Sequence, residues 1–380
     1  MESSARADRV RVGRVLGASL AVALATLSAD GHPARSGGEE ASFGGDPLAA
    51  EIRRWSAYVQ TNTSKEEIWE QVKEAVQPVL TAAEQALTDG RRLLALQKLA
   101  AVRPMLAATV YVGEHRGPES RDEAGLEAEW ARMGKVLGSD LGATSPRAFD
   151  GVRPAAVRAL AEAALPQVRV FYEASLEYGR STMPEFGLFY LGSARAQREF
   201  AAFCRSLSFS ASGLPPPVRP LSGELDALET ALFSAYRPPA SIDRHSEFIA
   251  ASSTLKEARE LDSAGLRYGA LLRYLQAALR TAPLLTAEPK PLEGAALEER
   301  LRGLEARLSA GGRDHSIGRI FLESAQADLA GVAPGGSPTV APGIAADVLP
   351  RYFAALEPAR PQPKRPAPRV TVTLVRWPYT

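Results

Sequence analysis

Between Ile68 and Leu87 the apolar residues Ile68, Val72, Val76, Val79, Leu80, Ala83 and Leu87 fall three and four apart. That spacing makes one stripe on an α-helix and scatters over both faces of a strand. Ser64 and Glu67 in front of it have the spacing of a capping box, and Asp89-Gly90 behind it is a stop signal. The pattern recurs along the chain. Ile52, Trp55 and Val59 show it, as do Leu93, Leu96, Leu99 and Val102, then Leu126, Trp130, Met133 and Leu137. It returns at Leu225, Leu228 and Leu232, at Leu272, Leu275 and Leu279, and as a narrow leucine seam at 297, 301, 304 and 308. The turn at Gly90 is so short that the helices flanking it must run antiparallel. Val and Ile are sparse in the body of the chain while Ala, Leu and Arg abound, which favours helix over strand. The expected fold class is therefore all-α: a multi-helix bundle or α/α superhelix of antiparallel helix pairs, with one strand-like tail at the C-terminus. Pro78, Pro104 and Pro166 lie inside helical runs and are expected to kink those helices or end them early.

Seven regions follow from composition. Residues 1–29 read as a signal peptide, 30–46 as a polar leader and 47–208 as a first helical domain. Residues 209–221, with four prolines between Leu214 and Leu221, read as a linker. A second helical domain covers 222–331. Residues 332–368 read as a Gly/Pro-rich linker with a short helix at 344–356, and 369–380 as the strand-like tail. The hairpins at 84–102 and 259–277 share a Gly turn (Gly90, Gly265), an Arg two residues later (Arg92, Arg267) and an Ala-Leu pair, at a constant offset of 175. The identities are few, so the offset reads either as a duplicated two-lobe plan or as the coincidence that Ala/Leu/Arg-rich helices produce, with coincidence slightly favoured. No 34-residue helical repeat is present.

The N-terminus carries the strongest address. Arg6, Arg9, Arg11 and Arg14 precede the uncharged apolar run 15–27, small residues at Ala25 and Ala29 offer cleavage positions, and Asp30, Gly31 and Pro33 follow. This is the order of a secretory signal, and the run is shorter than the roughly 20 residues of a membrane span. The expected location is extracytoplasmic, periplasmic or secreted, with membrane anchoring if the segment is not cleaved. No transmembrane span is expected after it. The whole chain carries +1, and without the arginine-rich start it is slightly acidic. No basic excess exists to neutralise phosphates, so a nucleic-acid partner is not expected.

Signals for chemistry are sparse. Cys204 is the only cysteine, which excludes an internal disulfide or a Cys-rich metal site; between Phe200, Phe203 and Leu207 it reads as an inert core thiol. His115, His245 and His315 each have acidic neighbours, but the routine reading of acids at helix starts is capping. No metal-protease, nucleophile-elbow, phosphate-loop or dinucleotide pattern occurs, and no catalytic residue, metal or cofactor is expected. The segment 171–209 holds nine of the chain's Phe and Tyr residues. It reads first as a core where long helices cross and second as the wall of a ligand pocket, with Tyr172, Tyr178, Tyr190 and Arg195 as contacts.

In the tail, Val370, Val372 and Leu374 alternate with Thr371 and Thr373, followed by Trp377 and Tyr379. A lone strand needs a partner edge. Either these residues add to another protein's sheet, with the aromatics as anchors, or they dock on this chain's own helices. The expected function is an exported scaffold or protein-interaction module with a protein partner. A small-molecule or lipid binder using 171–209, or a hydrolase, is the alternative.

Overall fold

A computed structural model describes residues 45–62, 67–115, 122–181, 184–210, 213–238, 241–285, 294–331 and 341–357. These residues form twelve α-helices and, among them, no strand; the chain is all-α. The signal-like segment 1–29, most of the leader and the tail with Val370, Val372, Leu374, Trp377 and Tyr379 lie outside the described residues. The first six helices are α1 (Pro47–Thr61), α2 (Glu67–Thr88), α3 (Arg92–Glu114), α4 (Glu123–Leu137), α5 (Ala155–Ser181) and α6 (Pro184–Ser206). The next six are α7 (Ser222–Ala235), α8 (His245–Ser263), α9 (Arg267–Leu285), α10 (Gly294–Ser309), α11 (Ser316–Gly331) and α12 (Ala341–Leu356). The loop read at 138–150 holds two short 3-10 helices, Gly138–Leu141 and Pro146–Phe149.

Pro78, Pro104 and Pro166 end no helix; α2, α3 and α5 continue across them. Tertiary packing on both sides holds each helix through a missing backbone donor. Helix α3 is long and apolar enough to cross a membrane by length and composition, which sequence reading did not register. Its apolar residues instead face α1, α2 and α6, and Leu94, Leu96, Leu99, Val102 and Leu106 are fully buried.

The two sets of six helices repeat one plan. In each, the first three helices form an up-down-up unit, the third packs on the sixth, the fifth on the sixth, and the fourth lies across the fifth and sixth. The buried positions match as well. Val76, Val79, Leu80, Ala83 and Ala86 of α2 correspond to Ala251, Thr254, Leu255, Ala258 and Leu261 of α8, at the same offset of 175. Leu126, Met133 and Leu137 of α4 correspond to Leu297, Leu304 and Leu308 of α10 at an offset of 171. The Gly90 and Gly265 turns are both left-handed, with φ of 75° and 77°. In each the second residue past the last helical turn donates back, Arg91 N–H to Ala86 O at 2.7 Å and Leu266 N–H to Leu261 O at 2.9 Å, closing a Schellman motif. The offset between the hairpins is thus structural, and the reading of it as coincidence is corrected: few identities survive because many side chains can fill the same buried slot.

Arg92 and Arg267 do the same work by different routes. Arg92 Nη2 donates to Asp46 Oδ1 at 2.9 Å, and Asp46 caps α1 by accepting from Leu48 N–H at 3.1 Å. Arg267 pairs with Asp262, which accepts the Leu221 N–H at the start of α7 at 3.1 Å. Each arginine holds the carboxylate that caps the first helix of its own half.

The halves interlock through their fifth helices. Helix α5 packs on α9, and α11 packs on α3. Glu162 of α5 is fully buried and accepts the Gly269 N–H, in the first turn of α9, at 2.8 Å. Arg158, one turn earlier, donates to it at 2.7 Å. On the other side Glu323 of α11 lies near the backbone of Leu94, in the first turn of α3, with Arg319 one turn earlier, and its Oε2 is buried without a hydrogen-bond partner among the described residues. The two glutamates are placed reciprocally, as a two-fold relation between the halves requires, and the hydrogen-bonded cap is made on the Glu162 side. At the centre the N-termini of α5 and α11 meet: Ala155 N–H donates to Asp314 Oδ2 at 2.6 Å and Ala156 N–H to Ser316 Oγ at 2.9 Å. Exposed helix starts can be capped locally for about 1 kcal/mol. Buried ones must be capped by whatever lies opposite, because an orphaned N–H there costs about 1–3 kcal/mol.

One core runs from Leu48 to Ala355 through both halves. The segment 344–356, read as a short helix within a linker, is the body of α12, and its Val348, Leu349, Tyr352 and Phe353 are buried against α9 and α11. Residues 213–221 run along the second half, where Leu214 O accepts from Asp314 N–H, Pro216 O from the Tyr268 hydroxyl, and Arg219 N–H donates to Ala355 O. Gly269 lets α9 approach α5 closely, since a Cβ there would sit 2.8 Å from Glu162 Cβ and 3.1 Å from Ala163 N. Gly269→Ala is expected to lower stability by about 1–3 kcal/mol, read by urea unfolding. A change within about 0.5 kcal/mol, the range of an ordinary surface substitution, would contradict the tight α5–α9 crossing.

Candidate functional site

The grouping nearest to enzyme chemistry lies between α3, α4 and α6. The Tyr111 hydroxyl donates to Glu129, and Arg132 Nε donates to the same carboxylate at 2.7 Å. The Tyr111 ring stacks on His115 with centroids 4.0 Å apart, and the Arg195 guanidinium lies 6.0 Å from that ring. His115 Nδ1 contacts Tyr111 O at 2.9 Å, which places its proton on Nδ1. Its Nε2 then faces Arg132 Nη2 at 3.5 Å and Glu129 at 3.7 Å. Burial first, and then the Arg132 charge, holds this imidazole below the usual histidine range, so it is neutral at pH 7. The carboxylate is engaged by a hydroxyl and a guanidinium, and the imidazole lone pair points at a cation. The arrangement holds three helices together and presents no activated nucleophile.

His245 and His315 each meet a tyrosine from another element. His245 Nδ1 lies 2.7 Å from the Tyr236 hydroxyl and His315 Nδ1 lies 2.9 Å from that of Tyr352. Neither is joined to a catalytic carboxylate in this way. Among the described residues no group of three His, Cys, Asp or Glu is placed to hold a metal ion.

Beside the tyrosine–glutamate clasp runs a buried ion-pair system. Arg103, 6% exposed, donates to Glu51 Oε1 at 2.7 Å and to Ala196 O at 3.0 Å, with Glu199 at 3.7 Å. Trp55 Nε1 adds a 2.9 Å bond to Glu51. Burial alone would raise the Glu51 carboxyl, but hydrogen bonds from Arg103 and Trp55 outweigh it and the group sits below its ordinary value of 4.5. A depressed carboxylate adds stability above its unfolded-state pKa and loses it as pH falls through the folded one. Glu51→Ala leaves Arg103 without its main partner and is expected to cost about 2–4 kcal/mol at pH 7. The gap between the variant and the native chain should narrow below pH 4.5. Thermal melts across pH would contradict this if the gap stayed constant or widened in acid.

The aromatic segment divides between core and surface. Tyr172 is 7% exposed, stacks on Trp130 at 4.8 Å and donates to Trp130 O at 3.2 Å, while Trp130 Nε1 donates to Tyr172 O. Tyr178 and Tyr190 stack at 4.6 Å on a more open face, with Phe171 near Tyr190. Arg195 turns to Glu199, at 2.8 Å, and to Tyr111. The structure therefore brings Tyr178 and Tyr190 together and leaves Tyr172 and Arg195 in other surroundings. Gly187 and Gly192 sit where helices touch, against Ser175 O and Ala108 Cα. Cys204 is fully buried, and burial pushes its thiol up to about 12. A thiol reagent should leave the folded chain unmodified and react with one equivalent only after unfolding; rapid labelling of native protein would show an accessible thiol instead.

An open depression of 550 Å³ lies at the outer end of α7, α8 and α9, lined by Ala231, Ser234, Ala235, Ser241, Asp243, Arg244, Leu284 and Leu285. Around it Phe233, Ile242, Ile249 and Leu285 are 41–59% exposed. A small apolar cluster of Leu232, Ala251 and Leu284 forms its floor, separate from the main core. No sequence signal marked it, since its residues come from the ends of three helices and from the 3-10 turn Ile242–Arg244. No family model, curated protein or solved structure matches this chain.

Proposed function

We propose that the chain is an exported helical scaffold that binds a protein partner through the outer end of α7, α8 and α9. The observation that carries this reading is the contrast between its polar and apolar groups. The acids at the helix seams are engaged in capping and ion pairs, as Glu162, Asp262, Asp314 and Glu129 show. Large apolar side chains, Phe233, Ile242, Ile249 and Leu285, stand exposed on the elements that form the α7–α9 depression, and Leu285 lines it. Apolar side chains grouped around a polar-rimmed hollow are the surface feature that marks recognition sites. Export is supported by the arginine-led apolar run 6–27.

Two measurements test the reading. A reporter enzyme active only outside the cytosol, fused after residue 44, should be active and lose activity when Leu20 and Leu24 become arginine. Full-length chain purified from the extracytoplasmic fraction should carry a partner that Phe233→Asp/Ile242→Asp releases and Val170→Asp keeps, with all three melting alike. A cytosolic reporter, or a partner set unchanged by the double variant, would overturn the proposal.

A further inference from the structure

The internal repeat shows what an α7–α9 depression looks like when filled. In the first half the same place, between α1, α2 and α3, holds Tyr58 and Trp69, with rings edge-to-face at 5.4 Å and Trp69 only 3% exposed. The matching core triplets Ile52, Trp55, Val59 and Leu225, Leu228, Leu232 set the α1–α7 register. In that register Ala231 stands where Tyr58 is, and Ala235 where Asn62 is. The offset of 175 between α2 and α8 puts Arg244 where Trp69 is. Two aromatic rings are thus replaced by a methyl group and a half-buried arginine, and Ala231, Ala235 and Arg244 all line the depression. The second half has kept the frame and moved its aromatic rings aside, where Tyr236 stacks on Phe248 at 4.1 Å and Phe248 packs on the Leu232, Ala251 and Leu284 cluster.

We propose that the depression is filled by the chain's own C-terminal segment, 369–380, with the Trp377 indole taking the volume that Trp69 fills in the first half. The chain holds four tryptophans, and Trp55, Trp69 and Trp130 are already packed within the first half. The geometry of the chain allows the reach. Helix α12 ends beside the start of α7, where Arg219 N–H donates to Ala355 O. Helix α7 has 14 residues, so its far end lies about 21 Å away. The 19 residues from 358 to 376 span roughly 60 Å when extended, so Trp377 arrives with slack. Charge fits as well: Arg376 precedes the indole, and Asp243 lines the depression with Glu247 one turn on. Val370, Val372 and Leu374 would lie toward the exposed Phe233 and Ile242. This goes beyond the partner-binding reading and does not rest on it: the seated segment covers the surface that reading uses, so a partner binds there only by displacing it, and the purified chain alone suffices to test the seat.

The test is fluorine NMR of the full-length mature chain labelled with 5-fluorotryptophan, with the Trp377 signal assigned by its loss in Trp377→Phe. The expected result is a Trp377 signal displaced from that of the free peptide 369–380, with a reduced solvent isotope shift and no change on dilution. Ala231→Trp, which fills the depression from within, should return the signal to the free-peptide position. Leu285→Arg at the exposed rim should do so as well, with helix content and melting temperature kept. A Trp377 signal already at the free-peptide position in the native chain would overturn the proposal. A displaced signal indifferent to both variants would place the segment elsewhere and overturn it too. A displacement lost on dilution would assign the site to a second copy and equally reject the intramolecular seat.

Discussion

A buried glutamate on the fifth helix of the first half closes the first turn of the third helix of the second. Glu162 accepts the Gly269 N–H of α9 and the Arg158 guanidinium one turn before it, while the half-buried Glu323 is set near Leu94 of α3 in the matching place. Burial raises both carboxyls above the ordinary range. Such groups are tolerated in a helical core only where amide donors and a guanidinium replace the water they lose. The packing of the halves and the satisfaction of the Glu162 charge are therefore one requirement. Glu162 is not provided for without the α9 start that it caps, and that start is not provided for without Glu162.

That constraint shapes what the surface can do. Asp314, the acidic neighbour of His315, is drawn inward as a cap on α5, and Asp262 likewise caps α7. Among the described residues, His245 and His315 are joined to tyrosines and His115 to the Tyr111–Glu129–Arg132 clasp. The two copies of one frame differ most at one end. The first half closes its α1–α3 end with Trp55, Tyr58 and Trp69; the second leaves the matching end as a hollow floored by Leu232 and Leu284.

Helix type and most helix positions are legible because the 3.6-residue period is strong: Leu297, Leu301, Leu304 and Leu308 are a buried seam, as their spacing requires. The duplication was half legible. The Gly90–Arg92 and Gly265–Arg267 match stands in the sequence, and so does Arg158-x-x-x-Glu162 against Arg319-x-x-x-Glu323, at an offset of 161 rather than 175. The offset drifts because the α4–α5 connection is longer than the α10–α11 one, so a search at one period loses the pair. The Tyr111–Glu129–Arg132 clasp was not legible at all. Each member looks like an ordinary helical surface residue, and only the turn of α4 back onto α3 brings them together. Tyr172, Tyr178, Tyr190 and Arg195 were grouped by closeness in sequence, yet helix rotation sends Tyr172 to the Trp130 contact and Arg195 to another face.

The interlock is most directly examined by native-state hydrogen exchange at the amides of Gly269 and Leu94. If the α5–α9 and α3–α11 seams lock the halves together, both amides exchange only through global unfolding, with one shared opening free energy and one shared denaturant slope. Two distinct free energies with shallower slopes, one for each set of six helices, would show halves that open independently and would contradict the account.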